Sequence, residues 1–355
     1  MKAEIAPRIN AERTPLETVV PLRTPWVLFV DPASSCNFQC TFCPTGDRAL
    51  MKEIGRYQGR LDPEIYTKIL RDIEAFEDPI KVLRLYKDGE PLLHTHFAEM
   101  VQQARACKNI EKIDTTTNGV LLTPERSRAI IAAGIDRINI SVDGLSAAQF
   151  KKFAKANVDF DTYVNNIRYL HTISGECEIV VKTVVEVIEE ENRQRFFDIF
   201  GDYCDKIFIE NTAPCWPDFD VEMRMDIEIQ EGLYGNAVQD TKVCPYLFYS
   251  MSVNSDGNVS ACFVDWSRGL IIGDAKKESL KDIWHSAAMQ THRMQHLAGK
   301  RYNHPICGSC GQLSHCRPDN VDGQIDVVRE KFATIFANTQ PVDAIAQKYE
   351  KETNV

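Results

Sequence analysis

Apolar and polar positions follow two different patterns between residues 25 and 210. Short runs rich in β-branched and aromatic residues have the composition of strands, and the stretches between them repeat apolar residues every three or four positions, as amphipathic helices do. The strand-like runs lie at 26–31, 82–85, 110–115, 138–142, 179–185 and 207–209. Six alternating strand and helix units predict an α/β fold with a parallel sheet and outer helices. A partial barrel and a doubly wound sheet both satisfy this pattern.

Helix start and stop signals support these units. Asp62 before Pro63, and Thr123 before Pro124, each combine a capping side chain with a proline suited to the first helical turn. Gly134 stands where a left-handed residue commonly ends a helix. Apolar residues of the first stretch share one helical face: Ile65, Ile69, Ile73 and Phe76. Both stretches are therefore predicted helices.

The pattern changes after residue 210. Residues 211–243 are rich in acids and contain prolines, which predicts a solvated linker. A loop-rich segment follows, with a short helix predicted to begin at Ser279, and a further helix is predicted over 325–346. The predicted parts are an N-terminal extension, a core, a linker, a small C-terminal domain and a helical tail, at 1–24, 25–210, 211–243, 244–320 and 321–355.

Composition is ordinary for a globular protein that functions in water. The 355 residues are 44% hydrophobic and 26% charged, and no apolar run is long enough to cross a membrane. The first 24 residues are polar and mixed in charge, so they do not resemble a secretory signal. A net charge of −10 argues against nucleic acid as the main partner, because phosphate contacts need a basic surface. A cytoplasmic protein without a nucleic-acid or membrane partner is predicted.

Twelve cysteines in a chain without an export signal indicate metal binding or catalysis rather than disulfides. Their distribution is uneven, with three at 36–43 and five at 244–316. The remaining four are scattered between these groups: Cys107, Cys177, Cys204 and Cys215. Two cofactor sites in two segments are therefore predicted.

Cys36, Cys40 and Cys43 form a C-x3-C-x2-C run directly after the first strand-like segment. A 4Fe–4S cluster is normally held by four thiolates, so three on one short loop leave one iron open. A small zinc site is the alternative, although zinc motifs usually supply their thiols in C-x2-C pairs. On this run the chain resembles the radical S-adenosylmethionine (SAM) superfamily. The resemblance implies a partial (β/α)6 TIM-like barrel with a small loop-rich iron–sulfur extension, and a cluster that binds SAM and cleaves it to a 5′-deoxyadenosyl radical.

The resemblance extends to segments that follow successive strands and would bind SAM. Asp88-Gly89-Glu90 resembles the Gly-Gly-Glu motif that holds the SAM amino group, with Asp88 in place of the first glycine. Glu90 could instead be an acid of a surface turn. After the third strand, Thr116 and Asn118 offer a hydroxyl and an amide group to the ribose.

The fourth strand is followed by Ser141-Val-Asp143, which resembles the family's Ser-Leu-Asp segment. By this resemblance Ser141 would contact the ribose or the carboxylate of SAM. A cation for that carboxylate is expected downstream, where Lys155 occupies roughly the place of an arginine in relatives. Lysine cannot make the bidentate contact that arginine makes. Lys155 could equally be a solvated helix residue, and Lys182 on the fifth strand is the competing candidate.

The C-terminal cysteines have a second spacing. Cys244 and Cys262 are followed by Cys307-x2-Cys310 and then by Cys316. This layout resembles the SPASM and twitch extensions of radical SAM enzymes, which hold auxiliary 4Fe–4S clusters. Five thiols cannot hold two clusters, so one auxiliary cluster is predicted. The first four cysteines match the twitch spacing of dehydrogenases of aminocyclitol biosynthesis, and Cys316 is an alternative ligand. A four-cysteine zinc ribbon is the competing interpretation.

These resemblances imply a radical SAM oxidoreductase. The leading hypothesis is dehydrogenation of a secondary alcohol on a small sugar- or cyclitol-like substrate. The auxiliary cluster would accept the substrate electron, and a flavodoxin- or ferredoxin-type donor would supply the electron that starts the reaction.

Three other functions stay open. SPASM relatives often modify peptides, although about 25 residues before the first strand are too few for the leader-peptide domain that many of them have. Cys215, just past the last barrel strand, could return a hydrogen atom in an epimerase, and an inert thiol is the plainer interpretation. A non-catalytic iron–sulfur or zinc protein is disfavoured, because it has no use for a SAM pocket.

Overall fold

The computed structural model describes residues 1–9, 13–316 and 319–336. Its strands are β1 (Glu4–Ile5), β2 (Val27–Val30), β3 (Ile80–Arg84), β4 (Ile110–Thr117), β5 (Arg137–Ser141), β6 (Glu178–Val184), β7 (Lys206–Glu210), β8 (Ser250–Val253), β9 (Asn258–Ser260) and β10 (Ile271–Asp274). Its α-helices are α1 (Leu16–Val19), α2 (Arg48–Glu53), α3 (Pro63–Glu74), α4 (Phe97–Ala106), α5 (Pro124–Ala132), α6 (Ala147–Phe153), α7 (Phe160–Ile173), α8 (Val185–Ile188), α9 (Arg193–Phe200), α10 (Val221–Met225), α11 (Tyr246–Tyr249), α12 (Leu280–Trp284), α13 (Ala287–Leu297), α14 (Pro305–Gly308), α15 (Gln312–His315) and α16 (Ile325–Phe336).

The ten strands form one sheet with the order β1-β7-β6-β5-β4-β3-β2-β8-β9-β10. Each strand from β2 to β7 pairs in parallel with its neighbours in sequence. A doubly wound sheet would reverse its strand order at a switch point, and these six strands show no reversal. The described sheet ends at β1 and β10 without closing on itself. The predicted partial six-stranded α/β barrel is confirmed.

The capping signals act as the sequence predicts. The side chains of Asp62, Thr123 and Ser279 accept hydrogen bonds from backbone N–H groups in the first turns of α3, α5 and α12. Gly134 has a φ of 88° just after α5. Helix α16 covers the first part of the helix predicted over 325–346, and residues 337–346 lie outside the described residues.

The barrel strands have an apolar outer face and a polar inner face. Outward residues such as Leu28, Leu83 and Ile113 are fully buried in the core formed with the helices. Register partners lie on the same face of a sheet, and the opposite set of partners faces inward. We call the space lined by this inner face the polar chamber; its strand residues include Phe29, Arg84, Asp114, Thr116, Asn139, Ser141, Lys182 and Glu210.

Segments from both ends of the chain extend the barrel sheet. Strand β1 pairs in parallel with β7, and β8 pairs in parallel with β2, followed by antiparallel β9 and β10. The N-terminal segment also contacts the C-terminal part, because Arg13 donates to Asp319 at 2.8 Å and Trp284 Nε1 donates to the Leu22 carbonyl at 3.0 Å. No local pattern in the sequence specifies these pairings, and the predicted domain limits stay predictions. None of the helices in the described part of the chain is long and apolar enough to span a bilayer.

Candidate functional site

The first cysteine set lies on a tight loop at the carboxyl end of β2. The Cys43 N–H donates to the Cys40 carbonyl at 3.2 Å, and the Gly46 N–H donates to the Cys43 carbonyl at 3.0 Å. A Cβ atom at position 46 would collide with the carbonyl oxygen of Cys40 and lie 2.7 Å from its nitrogen. Only glycine therefore fits there. Sequence reasoning missed Gly46, and the signal available was a glycine three residues after the last cysteine.

Burial raises the pKa values of all three thiols. The negative charges of nearby acids and of neighbouring thiols add to this effect at Cys36 and Cys40. Metal binding would favour the thiolates, which are the form that binds iron. No three His, Cys, Asp or Glu side chains in the described residues are close enough to share a single metal ion. In a cubane cluster each thiolate binds a different iron, and three cysteines on one loop suit that requirement.

Gly89 and Glu90 pack against the backbone that leads into the cysteine loop. The Glu90 N–H donates to the Ser35 carbonyl at 2.9 Å, and a Cβ atom on Gly89 would collide with the carbonyl oxygens of Ala33 and Ser35. The Glu90 carboxylate accepts from Thr117 Oγ1 at 2.6 Å and from the Asn118 N–H at 2.8 Å. Burial raises the pKa of Glu90 to about 7 against these hydrogen bonds. This carboxylate is thus fixed beside the cysteine loop.

Asp88 has a different role from the one that its place in the motif suggests. Its carboxylate lies 2.8 Å from Lys87 Nζ and 2.6 Å from Arg268 Nη1. Burial alone would raise the pKa of Asp88, but the two cations outweigh burial and hold that pKa well below its usual value. The side chain therefore joins the motif to the connection between β9 and β10, and the Asp88 carbonyl accepts from Thr45 Oγ1 at 2.8 Å.

Asn118 and Asp143 also contact the cysteine loop. Asn118 Nδ2 donates to Asn37 Oδ1 at 2.8 Å, and the Cys40 thiol lies 3.3 Å from Asp143 Oδ2. Burial raises the pKa of Asp143 to about 6. Thr116 and Ser141 lie on the inner face of the sheet, near the carboxyl ends of β4 and β5. The structure thus brings these four predicted residues to one end of the polar chamber.

Lys155 is not brought to this site. Its side chain is exposed, its φ is 53°, and its Nζ donates to the carbonyl of Lys152 at 2.7 Å, so it caps the end of α6. The competing candidate, Lys182, faces inward as the register partner of Ser141 and forms an ion pair with Glu210. The reason is that side chains alternate between the two faces of a strand, and Lys182 occupies an inward position of β6. Lys155 instead follows a helix at the surface.

Four of the five C-terminal cysteines lie near one another: Cys244, Cys262, Cys307 and Cys310. Burial, followed by the charges of Cys307 and Cys310, raises the pKa of Cys244. Burial, followed by the charges of Cys244 and Cys310, does the same for Cys262. Cys307 experiences the charges of Cys262 and Cys310 in the same way, so the charge of Cys310 acts on all three of the other thiols, as expected for a shared four-thiolate site.

Cys316 lies against Cys215, and the charge of Cys310 also acts on it. Their sulfur atoms are 3.2 Å apart, and Cys316 is 5% exposed. Cys310 links the two groups, because the charge of Cys215 contributes, after burial, to raising its pKa to about 11. A Cβ atom on Gly311 would collide with the carbonyl of Pro214. The glycine after Cys310 therefore lets the segment that contains Cys215 pack directly against it.

Comparison with known proteins gives matches over both cysteine segments. The radical SAM superfamily model matches residues 30–201, and the model of the iron–sulfur cluster-binding SPASM domain matches residues 244–311. The tungsten-containing aldehyde ferredoxin oxidoreductase cofactor-modifying protein of Pyrococcus furiosus is 25% identical over 328 residues, which is 81% of this chain and 88% of that protein.

Two solved structures are similar in fold. BtrN in complex with AdoMet and 2-DOIA has a TM-score of 0.53 at 17% identity, over 81% of this chain and 93% of that chain. Streptococcus suis SuiB bound to precursor peptide SuiA has a TM-score of 0.56 at 14% identity, over 84% of this chain and 72% of that chain. At such identities the likeness concerns the fold alone.

Proposed function

Because the chain belongs to the radical SAM superfamily and has a SPASM iron–sulfur domain, we propose that it dehydrogenates a secondary alcohol of a sugar- or cyclitol-like metabolite. The family's cofactors are SAM, a 4Fe–4S cluster that binds it, and an auxiliary cluster in the SPASM domain. Bound there, the first cluster would supply the electron for reductive cleavage of SAM to a 5′-deoxyadenosyl radical, the species that would remove a hydrogen atom from the substrate.

The chain's own residues would bind and orient these groups. Cys36, Cys40 and Cys43 would hold the first cluster, and Glu90 would accept from the SAM amino group. Asn118 and Asp143, hydrogen-bonded to or beside the cysteine loop, would keep that loop in place. Thr116, Ser141 and Lys182 face the same chamber and offer hydroxyl and ammonium groups to SAM or to a hydroxyl-rich substrate.

The single observation that supports dehydrogenation is the convergence of Cys244, Cys262, Cys307 and Cys310. A cluster held by four cysteines has no open iron, so it suits electron transfer better than substrate binding. Aromatic rings connect this site to the polar chamber: Phe29 stacks on Phe263 at 4.8 Å, and Phe263 meets Tyr246 at 4.9 Å. Phe263 directly follows Cys262, so the rings extend from the substrate side to a cluster ligand.

The test is anaerobic reconstitution followed by counting iron and sulfide per chain. We expect about eight irons in the wild type, and about four irons with no SAM cleavage after replacement of Cys36, Cys40 and Cys43 by alanine. Replacement of Cys107, Cys177 and Cys204, which lie outside both sets, is the control and should keep about eight. Candidate alcohols should then give 5′-deoxyadenosine and a ketone, and 5′-deoxyadenosine without an oxidised product would contradict dehydrogenation.

Epimerisation is a second candidate, supported by the 3.2 Å approach of the Cys215 and Cys316 sulfur atoms. In that case Cys215 would return a hydrogen atom to the substrate radical. Cys215→Ala would then still form 5′-deoxyadenosine but give no inverted product. Peptide modification is the remaining alternative, and a chain that cleaves SAM only with a peptide present would favour it. For each reaction we expect a flavodoxin- or ferredoxin-type donor in a reducing cytoplasm.

A further inference from the structure

The N-terminal segment extends one guanidinium group across the polar chamber. Three residues after β1, which pairs with β7, Arg8 Nη1 donates to the Tyr86 hydroxyl at 3.1 Å and lies 3.4 Å from Thr116 Oγ1. The hydroxyl of Tyr234 is a third hydrogen-bond partner. Tyr86 follows β3 and Thr116 lies in β4, so Arg8 reaches from the β7 edge to the middle of the barrel sheet.

Arg8 also changes the charge balance of the chamber. Lys182 forms an ion pair with Glu210, and Arg84 lies 3.8 Å from Asp114. Arg8 has no carboxylate within 4.0 Å among residues 1–9, 13–316 and 319–336. Lys182 and Arg84 thus each face a carboxylate, whereas Glu210 and Asp114 act on the Arg8 charge only from farther than 4.0 Å.

Hydroxyl partners satisfy the N–H donors of Arg8 but leave it without a carboxylate in direct contact, and a charge without a close partner is costly away from bulk water. The phenol of Tyr86 responds to the two guanidiniums beside it. Burial alone would raise its pKa, yet the guanidiniums of Arg84 and Arg8 outweigh burial and lower it. An arginine fork is the group that best matches the paired oxygens of a carboxylate or a phosphate.

We propose that Arg8, with the hydroxyls of Tyr86 and Thr116, forms a subsite for an anionic group of the substrate, a phosphate ester or a carboxylate. This inference rests on the proposed function and narrows it to an alcohol that also bears an anion. All three side chains are half-buried and so can be reached by a ligand. Thr116 lies at the carboxyl end of β4, two residues before Asn118, so this subsite adjoins the segment that contacts the cysteine loop.

The test is calorimetric titration of the reconstituted, SAM-loaded enzyme with inorganic phosphate and, separately, with acetate. We expect the wild type to bind at least one of the two anions, and the tighter one identifies the substrate group. Arg8→Gln should weaken that binding at least tenfold. Arg8→Lys keeps the charge without the fork and should fall between the two. A wild type that binds neither anion, or an Arg8→Gln enzyme that binds like the wild type, overturns the proposal.

Two controls separate the guanidinium from other effects. Arg13→Gln removes the ion pair with Asp319 in the same N-terminal segment without touching the chamber, and it should bind the anion like the wild type. Equal weakening by Arg13→Gln would mean that seating of the segment, not the Arg8 charge, is responsible, and the proposal would fail. It would also fail if Arg8→Gln weakened SAM binding by the same factor, because the anion would then be the SAM carboxylate.

Failure of the proposed function would look different. Paired alcohols with and without a phosphate or carboxylate would be offered to the enzyme, and binding and oxidation would be measured separately. Anionic alcohols that bind through Arg8 without becoming oxidised would contradict dehydrogenation and leave the subsite standing.

Discussion

Glu90 and Asp88 are two residues apart, and both are almost completely buried, yet their pKa values move in opposite directions. Glu90 has neutral donors around it, so burial decides and its pKa rises to about 7. Asp88 has Lys87 and Arg268 around it, so the cations decide and its pKa falls. The partners, rather than burial, thus determine which of the two carboxylates changes its charge near neutral pH.

Glu90 therefore predicts how SAM affinity depends on pH. If its carboxylate accepts from the SAM amino group, affinity should be nearly full at pH 8 and fall about tenfold by pH 6, as a group with a pKa of about 7 takes up a proton. The effect on folding has the opposite sign, because the raised pKa of Glu90 favours the folded protein when the group is protonated. This contribution to stability is full below the pKa that Glu90 has in the unfolded chain, and it is lost as the pH rises through 7.

The measurement is the SAM dissociation constant of the reconstituted enzyme from pH 6 to pH 8. Glu90→Gln is the control, since it should bind more weakly and without this slope. The same slope in Glu90→Gln would assign the proton to another group.

Residue-level predictions from sequence succeed where the signal is local. The cysteine spacing lies within eight residues, so the loop can be recognised without a fold. To choose between Lys155 and Lys182, one must know whether each side chain faces into the barrel. The alternation over 179–185 contained that information for Lys182, because Ile179 and Val181 are buried on the outer face. Arg8 has no local signal, since its partners are 78 and 108 residues away.

At the scale of elements, an ion pair connects the loop after β3 with the connection between β9 and β10. Asp88 is fully buried at its side chain, and the Arg268 side chain is 14% exposed. In the family motif a glycine precedes Gly89, so the aspartate adds this link to the C-terminal extension. Removal of Arg268 would take away one of two cations beside the buried carboxylate and leave Lys87 at 2.8 Å as the other.

Arg268→Gln should lower the free energy of unfolding by about 2 kcal/mol, the contribution of a hydrogen bond to a charged group, because Lys87 still neutralises Asp88. Denaturant unfolding of the reconstituted protein measures this. Arg23→Gln is the matched control, since its ion pair with Asp78 has side chains 67% and 51% exposed and should contribute close to nothing. A double-mutant cycle with Asp88→Asn isolates the pair, and additive effects of the two substitutions would contradict direct coupling.

The elements themselves were largely predictable because their periods are local. Six strand-like runs correspond to β2 through β7, with ends that differ by a few residues, and three helix starts follow their capping residues. Strand β1 has two residues and no alternation to detect. The pairing of β8 with β2 joins residues more than 200 positions apart, and no pattern along the chain specifies such a partner.

For the whole molecule, one hydrophobic core includes residues from Ala3 to Phe332. The predicted core barrel and C-terminal domain therefore share buried surface as well as a sheet. Two parts that share a core usually unfold together. A chain that ends at residue 243 would lack β8 and expose the edge of β2, with unpaired backbone groups that favour aggregation.

We expect calorimetry of the full reconstituted chain to show one transition, and the 1–243 chain to be insoluble or without cooperative unfolding. The full chain prepared in parallel with the same tag is the control. Two separate transitions in the full chain, or a soluble 1–243 chain with cooperative unfolding, would show that the barrel folds independently.

The direct pairing of β2 with β8 also limits how such a protein can be recombined. Neighbouring strands are held about 4.8 Å apart by backbone hydrogen bonds, and here one of them precedes the first cysteine set while the other lies within the second. A C-terminal segment grafted from a relative would have to bring a β8 that fits the recipient's β2. Exchange of segments between relatives should therefore succeed only when β2 and β8 are transferred together.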